Sequence, residues 1–98
     1  MKKTYFISRH KGAQQWARNN GFENAEVIEH FDPSIVKEGD KVIGTLPVHL
    51  AGQVCENGGR YFHLSMNVPV ERRGTEISAE DMNAFGARVI EFIITQKK

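Results

Sequence analysis

Very little in this sequence announces a common small-protein function. One cysteine, Cys55, stands among 98 residues, so no intramolecular disulfide can form. No apolar run approaches the ~20 residues that a bilayer-spanning helix needs, so no membrane partner is expected. Lys and Arg number 13 against 12 Asp and Glu, which leaves no broad basic field and argues against duplex nucleic acid as a partner. No His, Cys and carboxylate cluster shows metal-ligand spacing, and Gly12 stands apart from other glycines, so neither a metal site, a Walker loop nor a dinucleotide fingerprint is expected, and no cofactor. Met1-Lys2-Lys3 opens like a secretory signal, but Thr4 to His10 alternates and ends in Ser-Arg-His where a signal would continue apolar. A reducing, cytoplasmic location is the expectation.

What is present reads as one folded unit. With 40% hydrophobic and 26% charged residues the composition is that of a globular protein, and 98 residues provide one core, so residues 1–98 are expected to form a single domain. Thr4 to Ser8 is rich in β-formers and stops at Lys11-Gly12, after which Ala13, Trp16 and Ala17 recur at helical spacing. Asn19-Asn20-Gly21 closes that helix, Ala25 to Phe31 carries a second strand containing His30, and Asp32-Pro33 opens a short helical turn. Glu38-Gly39-Asp40 precedes a third strand, Lys41 to Thr45. Thr45 or Leu46 then caps a helix with Val48, Ala51, Val54 and Cys55 on its buried stripe, ended by Asn57-Gly58-Gly59. Arg60 to Ser65 is a fourth strand, with His63 turned away from the face of Phe62 and Leu64, and the segment from Met66 to Ile77 has no periodic signal. Ser78 with Asp81 resembles a capping box for a last helix with Met82, Phe85, Val89 and Ile93 on one face, although residues 89–95 also read as a strand.

Strands alternating with helices through short connections predict an α/β, Rossmann-like domain: a mostly parallel four-stranded sheet in the order two, one, three, four, flanked by helices. The winding then reverses between strands one and three. Ligands of open parallel sheets collect outside the carboxyl ends of the strands at such a point.

Three strand ends converge on that region. Ser8, Arg9 and His10 offer a hydroxyl, a guanidinium fork and an imidazole before a helix amino terminus, a set suited to phosphate. The competing reading makes Arg9 a surface ion-pair partner, His10 a solvated residue and Ser8 a cap. Gly44-Thr45-Leu46-Pro47-Val48-His49 adds a hydroxyl, backbone amides and a second histidine, so His10 and His49 are candidates to face one crevice. Gly12, Ser65 and Asn67 are further ligand-binding candidates, although Ser and Asn are also ordinary turn residues. Arg72 and Arg73, in the unpatterned segment, could close over an anion or simply form a solvated turn. His30, His63, Cys55 and Trp16 read as packing or surface residues.

The same residues carry a family resemblance. Tyr5 to His10 with Gly12, Ala13 and Trp16, then Val42 to Ala51, then Arg60 to Ser65, resemble in order a small CRISPR-associated family encoded beside type III systems. The resemblance covers roughly Tyr5 to Ala87. It implies a ring nuclease, an enzyme that opens cyclic oligoadenylate messengers and so switches off antiviral signalling, with cyclic tetra-adenylate as the implied substrate. The implied chemistry is metal-independent attack of a ribose 2′-hydroxyl on its adjacent phosphate, giving a 2′,3′-cyclic phosphate. On chemistry and position, His10, His49 and Arg9 are the candidate catalytic residues, with Ser8, Gly12, Thr45, Leu46, Ser65, Asn67, Arg72 and Arg73 around the ligand. A symmetric cyclic substrate larger than one domain's mouth predicts a homodimer. The alternative of another class is a non-catalytic protein that binds or sequesters the messenger.

Overall fold

The computed structural model describes residues 2–98. Its elements run β1 (Thr4–Ile7), α1 (Lys11–Asn19), β2 (Glu26–Ile28), β3 (Lys41–Gly44), α2 (Val48–Glu56), β4 (Arg60–Ser65), α3 (Ala79–Ala84) and β5 (Arg88–Phe92), with short 3-10 turns at Pro33–Ile35 and Val70–Arg72. The sheet order is β2-β1-β3-β4-β5. The first four strands are parallel as the alternation predicts, and β5 runs antiparallel beside β4. The fold is thus Rossmann-like with five strands, one more than the sequence reading.

The extra strand arises where the last helix was expected to continue. Gly86 takes φ +73, the left-handed region where glycine is favoured, and the Ala87 and Gly86 amides donate back to the carbonyls of Met82 and Asn83. This closes α3 after two turns. Arg-Val-Ile-Glu-Phe is then β-rich and adds to the open edge of β4, with Val89 opposite Leu64. Met82 and Val89 share a core both ways, which is why helical spacing alone could not separate the two states.

Helices cover both faces. Trp16, Ala13 and Ala17 of α1 and Ala79 and Met82 of α3 pack over Phe6, Ile43 and Leu64. Trp16 is buried and its indole Nε1 donates to Asn83 Oδ1 at 2.9 Å, tying α1 to α3 and confirming it as a core residue. On the other face Ala51 and Val54 of α2 pack over Tyr5, Val42 and Tyr61. Because α1 and α2 lie on opposite faces while β1 and β3 are neighbours, the winding reverses between those strands. Gly44 permits their close approach, since a Cβ there would lie 3.0 Å from the Ile7 carbonyl oxygen.

The amino ends of β1 and β3 are locked by one buried acid. Asp40 is 3% exposed, and its carboxylate accepts the Lys3 and Lys37 amides, each at 2.9 Å. Those two donated hydrogen bonds hold its pKa below the ordinary carboxylate value.

Two local expectations are corrected. His30 lies past the end of β2 and is exposed, because pairing with β1 stops at Ile28. The residue that caps α2 is Pro47, with neither Thr45 nor Leu46 serving: the Thr45 hydroxyl and the Leu46 amide are used elsewhere, as described next.

Candidate active site at the strand carboxyl ends

At the β1 end, the chain leaves the sheet at Ser8 and starts α1 at Lys11 with His10 as N-cap. Ser8 Oγ accepts the His10 amide at 3.1 Å and the Ser8 carbonyl accepts the Gln14 side-chain amide at 3.0 Å, so Ser8 shapes the turn. The local hydrogen bonds leave Arg9 and His10 pointing to solvent, both exposed. Among the described residues no acid pairs with Arg9. The first amides of α1 have no intrahelical acceptor and face the same end.

His10 does have a partner. Its Nδ1 lies 3.1 Å from Glu76 Oε1, with the two side chains 67% and 76% exposed. An ionised carboxylate can only accept, so Nδ1 is the donor in this contact, and in the neutral imidazole the lone pair is then on Nε2. A pair this exposed adds little to folding. Its consequence is chemical: the carboxylate fixes the imidazole tautomer and orients Nε2. Glu76 is the residue that reading the sequence missed, for it lies 66 positions away in the unpatterned segment and no spacing signal joins it to His10.

Gly12 holds that segment in place. A Cβ at Gly12 would lie 2.0 Å from the Ile77 carbonyl oxygen, so only glycine lets the Glu76-Ile77 backbone rest on the start of α1. A groove beside the pair runs between Gly12, Gln15 and Arg18 of α1 and Ser78 to Asp81.

The β3 end is built differently. Thr45 Oγ1 donates to the Leu64 carbonyl at 3.0 Å and the Leu46 amide donates to Tyr61 Oη at 3.0 Å. Tyr61 Oη is also 3.1 Å from the Gly44 carbonyl and 2.7 Å from His63 Nδ1. One arrangement satisfies all these contacts: the phenol donates to Gly44, and Leu46 N–H and His63 Nδ1–H both donate to it. Burial pushes the Tyr61 pKa up, partly offset by the Leu46 amide. His63 lies on the face of Tyr61, away from Phe62 and Leu64, and packs edge-on to Phe92. Polar groups that the sequence offered as ligand donors, Thr45 Oγ1 and the Leu46 amide, are already engaged within the fold. What faces outward here is the amide pair of Val48 and His49, which lead α2 without intrahelical acceptors.

The remaining candidates scatter. His49 is exposed and lines a cavity between α2 and residues 93–98, a cavity whose walls include none of Ser8, Arg9 and His10. Ser65 pairs with Arg88 across β4 and β5, and the Asn67 amide donates to the Phe85 carbonyl at 2.9 Å. Arg72 is paired with Asp81 at 2.7 Å and lies over the Phe85 ring, which makes it an anchor of the 66–77 segment. Arg73 next to it is exposed, with a 3.5 Å contact from Nε to the Val68 carbonyl. The structure therefore gathers Ser8, Arg9, His10, Gly12 and Glu76 in one place and Thr45, Leu46, Tyr61 and His63 in another. Among the described residues no three His, Cys, Asp or Glu side chains are placed to hold a metal ion, and no helix is long and apolar enough to cross a membrane.

Comparison with known proteins gives one family match: residues 5–95 match the family described as "Putative CRISPR-associated protein (Cas_VVA1548)". No curated protein and no solved structure matches the chain.

Proposed function

The chain belongs to this CRISPR-associated family, and on that premise we propose that it is a metal-independent ring nuclease that linearises cyclic oligoadenylate, cyclic tetra-adenylate first among them. The observation that carries the reading is the His10–Glu76 pair beside an unpaired Arg9 at a strand end and helix amino terminus. Opening the ring forms a bond from a ribose 2′-oxygen to the adjacent phosphorus and breaks the bond from that phosphorus to the 5′-oxygen. The 2′-hydroxyl proton must leave and the 5′-oxygen must gain one. His10 Nε2, in the neutral imidazole, accepts the first, and solvent water at this exposed site protonates the departing 5′-oxygen. Arg9 and the leading amides of α1 hold the non-bridging phosphate oxygens, whose charge grows during attack.

The leading amides of Val48 and His49 add backbone donors at the neighbouring strand end. A two-fold homodimer would offer two such sites to the repeating phosphates of one ring. The test is single-turnover incubation of purified protein with labelled cyclic tetra-adenylate and a chelator. Linear products ending in a 2′,3′-cyclic phosphate are expected. Tight binding with no linear product would replace this reading by sequestration of the messenger.

A further inference from the structure

The amino end of the sheet carries a second feature. Helix α3 is only six residues long and sits towards the carboxyl end, so it leaves the lower part of its sheet face uncovered. The result is an open cavity of about 730 Å³ floored by Ile43, Phe62 and Val89 and walled by Phe22. Lys2, Lys3 and Lys41 line it at the strand starts, and Glu26 is the one carboxylate among its lining residues. Nearby Glu91 is bound by Arg60 through two contacts of 2.8 and 2.9 Å and also feels Lys41, and Lys3 lies close to the Asp40 carboxylate, so the lysine charge is partly offset.

We propose that this cavity is a binding site for a nucleoside phosphate, distinct from the strand-end site and independent of the ring-opening reading. An open trough on a sheet suits a flat ring more than a flexible acyl chain, which gains from an enclosed tunnel. Phe22 at the side and the part of the Phe62 ring not covered by the Arg60 guanidinium, which lies 5.2 Å from its centroid, present aromatic surface to a base. The Asn24 amide, also in the lining, offers a donor and an acceptor to a base edge. Lys41, which shares the sheet face of Ile43 at the start of β3, complements a phosphate at this end, and the excess of cation over anion in the lining is what selects a charged ligand.

Trp16 provides a reporter, because it stacks on Phe22 with ring centroids 6.2 Å apart. The experiment titrates adenosine 5′-monophosphate into the full chain, following Trp16 fluorescence and backbone amide shifts, with adenosine, inorganic phosphate and laurate titrated in parallel. The nucleotide should bind saturably and more tightly than each of the other three, and should move the amides of Phe22, Asn24, Phe62 and Val89. Lys41→Glu should weaken it at least tenfold, and Phe62→Leu should weaken adenosine and nucleotide alike while leaving the amide spectrum folded. No saturable binding would overturn the proposal. So would laurate or phosphate matching the nucleotide, or shifts confined to residues 8–13. Cleavage of the cyclic substrate enters none of these readouts, so a failure here and a failure of the ring-nuclease reading are told apart.

Discussion

Two strand-to-helix turns flank the point where the winding of the sheet reverses, and they spend their polar groups in opposite ways. In the turn after β3, the Thr45 hydroxyl and the Leu46 amide are consumed by Leu64 and Tyr61, while the Tyr61 phenol also holds Gly44 and His63. In the turn after β1, hydrogen bonds from the His10 amide to Ser8 Oγ and from the Gln14 side chain to the Ser8 carbonyl shape the backbone, and Arg9 and the His10–Glu76 pair stay in solvent. Identical topology thus yields an internally bonded scaffold on one side and a solvent-facing polar surface on the other. The difference lies in burial: Tyr61 is 1% exposed, and a buried phenol must find partners, whereas exposed groups are free to wait for a ligand.

If the comparison is right, substitutions in the first turn change chemistry and those in the second change stability. The largest effect is expected from His10→Ala, with a loss of cleavage of about a hundred- to ten-thousand-fold, an unchanged melting temperature and retained binding. Single-turnover rates beside thermal unfolding check it. Arg9→Ala should weaken binding of cyclic tetra-adenylate by about tenfold or more, and Arg9→Lys should recover part of this, since an ammonium cannot reproduce the guanidinium fork. Titration of the two variants on the His10→Ala background separates affinity from turnover. Glu76→Gln should lower the single-turnover rate by about tenfold with affinity unchanged, below the loss from removing the acid-base group itself. Glu76→Asp should restore part of the rate, a rescue that a merely structural pair would not show.

In the scaffold turn, Tyr61→Phe should cost about 1–3 kcal/mol of stability by leaving the Leu46 amide without its acceptor, measured by denaturant unfolding, while cleavage per folded molecule holds. The smallest effect concerns pH. The Asp40 pKa is lowered in the folded chain from an ordinary 3.8, so its stabilising contribution is complete above that value and is lost as pH falls from 3.8 through the lowered native value. Unfolding curves of parent and Asp40→Asn should therefore converge in acid and differ at neutral pH.

The same contrast explains what the sequence disclosed. The β1, β3 and β4 segments and both long helices were legible because apolar spacing and turn residues agreed, and the sheet order followed from chain alternation. The fifth strand was left open, because Met82 and Val89 stand at helical spacing while Val89 to Thr95 is also β-rich, and the left-handed Gly86 decides between them. Within the site, Ser8, Arg9 and His10 were visible as neighbours in sequence. Glu76 was not, because its meeting with His10 depends on the tight contact of Gly12 with Ile77, which no local pattern encodes. Nor could sequence show that the Thr45 hydroxyl and the Leu46 amide are engaged, since such groups at a strand end look the same whether free or held by a carbonyl or a buried tyrosine of the next strand.

The most direct measurement of the central claim is an amide-resolved titration of the His10→Ala protein, which should bind without cleaving, with cyclic tetra-adenylate. The account predicts that the largest shifts fall on residues 8–13, Glu76 and the leading amides Val48 and His49, with Gly44 to Leu46 moving little. Largest shifts at the amino end of the sheet, around Phe22 and Phe62, or no shift in residues 8–13 at saturation, would contradict it.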